Sequence, residues 1–349
     1  MISFKFKFLF NFFLAKAMQK DDAKKIEVLN SPKYLRFSAA LSYKAGLDRN
    51  DKILLDIIDS RTQEKMIEYF GNYGEKSIES LQIDSGLLEY NQDIEKSVRQ
   101  KNKSEVKDNL QDKKYLSYDE DDQRIQDEEE YDDIIELVTL NSDIIRNTRE
   151  VSNNDKKRCL SNNISAYLGL MWYGAESFKD IINTVDKDGL RKLLLIKSTS
   201  KKEIDVDVLL RRIRQIILQI IPISIIDYMS EHLSNPKLKL PVSELINTES
   251  DINKKLYYVL LLFKIDVNTA IIETKKLINS SKLYVIDHII FLYIYFFCFH
   301  NKLNDTVLEQ LIALMNKIRS KYPVKDKKYP VGDTFSSDIK KNILTQKLK

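Results

Sequence analysis

Glycine is scarce in this chain, which has eight glycines in 349 residues, whereas average usage of about 7% would give roughly 24. None of them forms a G-x-G-x-x-G or a G-x-x-x-x-G-K-[ST] pattern. Such loops need glycine to bring backbone amides close to phosphate groups. The sequence therefore excludes the common Gly-rich nucleotide-binding loops, although it does not exclude enzymes in general.

Histidine and cysteine are equally rare, and the whole stock is His232, His288, His300, Cys159 and Cys298. Two cysteines are too few for a disulfide framework and are typical of a reducing compartment or of core packing. Both lie in apolar patterns, unlike reactive thiols. Cys298 and His300 stand two residues apart, so on a helix they point away from each other and cannot share a metal ion. We expect no metal, no cofactor and no catalytic residues, and hence no enzyme.

Long hydrophobic runs are also missing. The longest unbroken one, Ile289–Phe299, has eleven residues, whereas a membrane-spanning helix needs about 20. A second run, Ile216–Ile226, is interrupted by Gln219, Pro222 and Ser224. The sequence predicts no transmembrane segment, and it predicts that 289–299 forms a central helix buried on all sides.

The N-terminus leaves three interpretations open. Lys5 and Lys7 precede the apolar stretch Phe8–Ala15, and Ala15-Lys16-Ala17 fits a small-x-small cleavage site. Residues 1–17 can therefore be a secretory signal segment with a short apolar core. They can instead be an extension upstream of a true start at Met18, or an amphipathic anchor.

Charge is nearly balanced overall, with 56 basic and 52 acidic residues, a net charge of +4 and a pI of about 8.6. This balance does not by itself indicate nucleic-acid binding. The distribution is uneven, because residues 118–133 contain ten acidic residues and one basic residue, and residues 316–349 contain ten basic and three acidic residues. The two segments can pair with each other or bind different partners, and the simpler interpretation is a solvated acidic linker and a basic tail.

Helical periodicity dominates the rest of the chain, so we predict an all-α protein, either a helical bundle or irregular stacked helical hairpins. The predicted helices span 34–46, 52–60, 61–70, 75–90, 132–147, 155–172, 200–221, 251–265, 268–278, 282–300 and 304–321. Lys237–Val242 is predicted as a short extended piece. The connections of about three residues near the C-terminus are typical of antiparallel helix neighbours.

The predicted organisation has two helical modules joined by a disordered acidic linker. The ranges are 1–30 for an N-terminal extension, 31–90 for a small helical module, 91–130 for the linker, 131–322 for a C-terminal helical domain and 323–349 for the basic tail. Residues 91–126 lack any apolar periodicity and cannot bury enough surface to offset chain entropy.

The clearest predicted element is the helix over 200–221, which opens with a capping box between Ser200 and Glu203. Its predicted core stripe is Val206, Leu209, Leu210, Ile213, Ile216, Ile217, Ile220 and Ile221, and Pro222 is expected to kink or end the helix. The opposite face carries the candidate partner-binding residues, which are Arg211, Arg212, Arg214, Lys201 and Lys202. Such a basic face can bind phosphate or an acidic partner, or it can be an ordinary exposed helix surface.

Two C-terminal stretches resemble the end of bystin-type ribosome-assembly proteins: Tyr284–Asp287 followed by Ile289–Phe291, and Asp338–Leu344. The resemblance covers less than a fifth of the chain, and the Gly-, Pro- and Lys-rich central motifs of that family are absent. It implies a ribonucleoprotein-assembly role as an alternative function.

Taken together, these features predict a non-catalytic helical scaffold or adaptor that binds another macromolecule through helix faces and charged segments. The expected partner is a protein, with RNA or a ribonucleoprotein as the alternative. The expected location is intracellular, either cytoplasmic or nuclear. A secreted effector is the remaining alternative, which requires that 1–17 is a signal peptide.

Overall fold

The computed structural model describes residues 7–71, 78, 126–190, 206–281, 284–301 and 303–321. Its main helices are α1 (Lys7–Lys20), α2 (Asp22–Asn30), α3 (Ser38–Asp48), α4 (Lys52–Phe70), α5 (Gln126–Asn147), α6 (Asn153–Thr184), α7 (Val206–Leu233), α8 (Lys239–Thr248), α9 (Ile252–Ile265), α10 (Val267–Ser280), α11 (Tyr284–His300) and α12 (Asp305–Lys321). Short 3₁₀ turns precede α3 and α8. No strand occurs within the described ranges, and the all-α prediction is confirmed.

Polar side chains at the helix ends explain where several of these helices begin. The side chains of Asp51, Ser152 and Asp266 accept hydrogen bonds from the first free backbone amides of α4, α6 and α10. These residues are favourable N-caps, because their side chains satisfy amides that have no partner inside the helix. Gly71 ends α4 with a φ of 53°, a backbone conformation that favours glycine.

Three predictions of local structure are wrong. Segments 52–60 and 61–70 form the single helix α4. The hydroxyl of Thr62 donates a hydrogen bond to the carbonyl of Ile58, across the break predicted between residues 60 and 61. The predicted helix end at 221 is wrong, since α7 continues through Pro222 to Leu233, while a kink at Pro222 remains a prediction. Burial of residues in its second half outweighs the loss of the one hydrogen bond that proline cannot make. Residues 237–242 form a 3₁₀ turn and the start of α8, not an extended piece.

The core is continuous through the described residues and draws on helices from both ends of the chain. Two helices are buried on all sides over part of their length, because every residue from Val285 to Ile294 of α11 and from Leu256 to Phe263 of α9 is buried. The prediction for 289–299 is correct only in part, because α11 leaves Phe296 exposed to solvent.

The predicted modules are separate in sequence, but their described parts share this core. Helices α3 and α4 pack against α5, and α4 also packs against α6. Whether 31–90 and 131–322 fold independently remains a prediction. Residues 79–125, most of the predicted helix 75–90 and the predicted tail 323–349 lie outside the described residues.

Helix α5 begins at Gln126, six residues before the predicted helix start at 132, and the predicted linker bounds 91–130 remain a prediction. The residues concerned are Asp127, Glu128, Glu129 and Glu130. Acidic residues are favourable in the first turns of a helix, where they complement the positive end of the helix dipole. Helical periodicity could not reveal this start, since these turns contain no apolar residue.

Candidate binding surface around the first helix

Helix α1 turns its aromatic side chains towards solvent. Phe8 and Phe13 are 58% and 54% exposed, and Phe10 and Phe12 are each 38% exposed. The buried side of the helix is formed instead by Asn11, Ala15 and Met18. Soluble proteins normally bury such large apolar side chains, and clustered exposed ones mark interaction sites. The outer side of α1 is therefore a candidate binding surface.

Small side chains allow α1 to lie close to the rest of the fold. Ala15 is fully buried, and α1 packs against α3, where Ala40, Leu41 and Ala45 are also fully buried. Met18 belongs to the main hydrophobic core. Residues 7–20 are thus a packed element of the described structure, which gives the aromatic side chains a fixed platform.

An open cavity of about 360 Å³ lies beside this helix, where α1 and α3 meet the end of α5. We call it the groove. Its lining residues are Phe12, Ser42, Tyr43, Gly46, Leu47, Arg146 and Asn147. A Cβ placed on Gly46 would meet no atom within 4 Å, so this glycine leaves room in the groove. Exposed aromatic rings from two helices, Phe12 and Tyr43, form part of the lining.

Hydrogen bonds fix the polar end of the groove. The Nδ2 group of Asn147 donates to the backbone oxygen and to the hydroxyl of Ser42, both at 3.1 Å. Arg146 forms an ion pair with Asp143 at 3.0 Å, and its carbonyl accepts a hydrogen bond from Asn235. Because these contacts join α3, α5 and the segment after α7, the groove is largely preformed. A preformed site loses less conformational entropy on binding.

The charged residues of α1 are all basic. The helix contains Lys7, Lys16 and Lys20 and no acidic residue. The Lys16 ammonium lies 6.0 Å from the ring centre of Phe12 and donates a hydrogen bond to Gln19. A cation at this distance interacts favourably with the face of an aromatic ring.

The predicted basic site is only partly described. Lys201 and Lys202 lie outside the described residues, and Arg211 and Arg212 belong to α7 but their side chains are not described. Arg214 is half-buried, and its buried Nε has no hydrogen-bond partner within the described part of the chain. A binding role of the five residues therefore remains a prediction.

The predicted core stripe of this helix is wrong in its second half. Ile220 is 45% exposed, and Ile213, Ile216 and Ile217 are half-buried. The buried residues there include Leu218, Gln219, Ile223, Ile226 and Met229. Apolar residues occur on both faces of α7, so periodicity could not decide which face packs into the core.

Sequence reasoning missed a buried polar network between α4, α5 and α6. Asp59 is almost fully buried and accepts hydrogen bonds from Arg158 Nη1 and Asn162 Nδ2, both at 2.9 Å. Close by, Ser142 contacts the Asn163 side chain and the Tyr167 hydroxyl at 3.3 and 2.8 Å. Each of these polar side chains has a hydrogen-bond partner within the network, as buried polar groups generally do in stable proteins. The network holds the three helices together.

The thiols and the buried imidazole are unsuited to proton transfer at neutral pH. Cys159 and Cys298 are both buried, as the sequence predicts. Burial, and then the charge of Asp59, raises the pKa of Cys159 far above its usual value, and burial raises the pKa of Cys298 to about 12. Burial lowers the pKa of His288 to about 4, and its Nε2 donates a hydrogen bond to Gln219 Oε1 at 2.9 Å.

The described ranges contain neither a metal-binding cluster nor a clear membrane-spanning helix. No group of three or more His, Cys, Asp or Glu residues there is arranged to hold a metal ion. One stretch, Ile216–Leu233, is long and apolar enough to cross a membrane by length and composition, with 44% of it buried in the fold. Since core helices pass the same test, the described helices include no clear transmembrane segment.

No protein-family model matches the chain, and neither the comparison with curated proteins nor that with solved structures gives a match. The resemblance to bystin-type proteins therefore receives no support from these comparisons. Of its two stretches, 338–344 lies outside the described residues, and the other belongs to α11, where Asp287 and His288 are buried.

Proposed function

We propose that this protein is a non-catalytic helical adaptor that binds a protein partner in the groove between α1, α3 and α5. The observation that carries the proposal is the open, preformed groove of about 360 Å³ with exposed Phe12 and Tyr43 rings in its lining. Aromatic residues and arginine are enriched at protein–protein interfaces and supply most of their binding free energy.

The lining indicates what kind of partner segment fits. The space beside Gly46 suits an apolar side chain, and the aromatic residues Phe12 and Tyr43 line the same groove. Arg146 lies at the polar end of the groove and is paired with Asp143. Its guanidinium can donate further hydrogen bonds to a carboxylate or amide oxygen of the partner. An amphipathic helix or a short extended segment presents both groups.

The alternatives receive less support from the described residues. An RNA-binding role requires an exposed cluster of cations, and Arg214 is half-buried. Such a role predicts steep salt dependence and loss of binding when the charges of Arg211, Arg212 and Arg214 are reversed. A secreted form cleaved after Ala17 would lose the fully buried Ala15 from the fold. Two free cysteines favour a reducing, intracellular location.

Site-specific photo-cross-linking in native cell extract tests the adaptor function. A photoreactive residue at Tyr43 lies in the groove, and one at Ile67 on α4 is a matched control on an exposed helix face. We expect one discrete cross-linked protein from position 43 and none from position 67. The adduct should disappear in Gly46→Leu, which fills the groove. Equal cross-linking from both positions, or an adduct that persists in Gly46→Leu, would contradict the proposal.

A further inference from the structure

The outer side of α1 is distinct from the groove at its flank. Helical periodicity places Leu9, Phe13, Lys16 and Lys20 on one stripe, because they follow one another at intervals of four, three and four residues. This stripe lies on the side of α1 opposite to the buried residues Asn11, Ala15 and Met18. Phe10 and Phe13 retain 38% and 54% exposure, whereas the groove is lined by Phe12.

Apolar and basic residues are segregated along this outer side. The first two turns carry the phenylalanines, and the last turn and a half carries Lys16 and Lys20. A helix that lies in a membrane interface needs an apolar face for the acyl boundary and lysines that reach the headgroups. Lysine suits this position because its long aliphatic chain can lie along apolar surface while its ammonium stays in water.

Charge decides between a lipid surface and a second copy of this chain. All three charged residues of α1 are lysines, so two copies packed through this face would bring like charges together. An anionic bilayer instead supplies phosphate and carboxylate groups that neutralise the lysines, and each such lysine contributes to binding near the surface. The same helix then buries its phenylalanines without any change in the fold, because its other side remains packed on α3.

From this geometry we infer that the outer side of α1 docks on the surface of an anionic lipid bilayer. The helix lies parallel to the membrane with Phe10 and Phe13 below the headgroups and Lys16 and Lys20 among them. This inference goes beyond the adaptor function and does not depend on it. Docking leaves the groove at the flank of the helix available to a protein partner.

Vesicle co-sedimentation of the full chain tests the inference. The vesicles contain phosphatidylcholine alone or phosphatidylcholine mixed with phosphatidylserine. One variant, Phe10→Ser with Phe13→Ser, removes the apolar face, and another, Lys16→Glu with Lys20→Glu, reverses the charge. Ile53→Ser with Ile67→Ser is the matched control, because it removes two exposed apolar side chains from α4. Circular dichroism checks that every variant remains folded.

We expect the wild type and the control to bind only the vesicles that contain phosphatidylserine, and to be released by added salt. Each α1 variant should bind at least about tenfold more weakly. Binding that is absent in the wild type, equal for both kinds of vesicle, or unchanged in the Phe10→Ser, Phe13→Ser variant would overturn the inference. A wild-type dimer that this variant dissociates, seen by analytical ultracentrifugation, would overturn it in favour of a second copy. The cross-link from position 43 tests the adaptor function and the vesicle assay tests membrane docking. Either proposal can therefore fail while the other holds.

Discussion

At the scale of single residues, buried polar groups determine how this fold responds to pH. Asp51 illustrates one direction of the effect. Burial alone would raise its pKa, but hydrogen bonds from Lys44 and from the Leu54 amide, together with the charges of Lys44 and Lys25, lower it below its usual value. Its stabilising contribution is therefore fully present above the ordinary aspartate pKa of about 3.9. That contribution is lost as the pH falls through the lower, folded-state pKa.

His288 gives a testable effect at milder pH. Its folded pKa of about 4 lies below the ordinary value of 6.5, so the unfolded chain binds more protons between these values. Stability should fall as the pH drops from 6.5 to 4, by an amount on the order of 3 kcal/mol. Urea unfolding of wild type and His288→Gln across this range measures the effect.

The His288→Gln variant should lose most of that pH dependence, because glutamine does not titrate. The matched control is His300→Gln at the exposed end of α11, which should retain it. Equal pH dependence in wild type and His288→Gln would show that the imidazole is not held neutral by burial.

Asp59 provides a second prediction at this scale. Asp59→Ala leaves Arg158 Nη1 and Asn162 without their acceptor inside the helix interface. We expect a loss of about 2–3 kcal/mol in the free energy of unfolding, less than for a fully buried pair because Arg158 is partly exposed. Asp56→Ala removes the more exposed partner of Arg158 and should cost less than about 1 kcal/mol. Similar losses in both variants would contradict a buried network centred on Asp59.

At the scale of elements, α3 contributes Gly46 to the lining of the groove. Gly46 lies inside this helix in an ordinary helical conformation, with open space where a Cβ would be. Gly46→Ala should therefore stabilise the protein by about 0.5–1 kcal/mol, because alanine loses less conformational entropy in a helix. Chemical denaturation measures this gain. A loss of stability would mean that the groove beside Gly46 is closed in solution.

Sequence reasoning predicted the elements well where caps and apolar stripes coincide. Helices α9 to α12 were all predicted, and α9 and α10 begin directly after the aspartate caps Asp251 and Asp266. It failed where tertiary packing overrides a local signal, as at Pro222 inside α7. It also failed at the acidic start of α5, because a helix can begin without apolar residues when its first turns carry favourable charge. Neither effect is visible in hydrophobic periodicity.

At the scale of the whole molecule, the fold class followed from the sequence, but the candidate surface did not. The apolar stretch Phe8–Ala15 reads as a signal segment or an anchor, and nothing in its composition shows that Ala15 and Met18 are buried while the phenylalanines are exposed. The groove joins residues that are about a hundred positions apart, such as Ser42 and Asn147. Such contacts depend on tertiary packing, so a single sequence without homologues could not predict them.

The central claim is that α1 is a packed element of the fold and presents both the groove and the outer face. Hydrogen–deuterium exchange of the full chain tests this claim without any partner. The account predicts that the amides of α1 from Ala15 to Lys20 are protected to a degree similar to those of the buried part of α3. Exchange of these amides at the rate of an unstructured peptide, with α3 still protected, would contradict it.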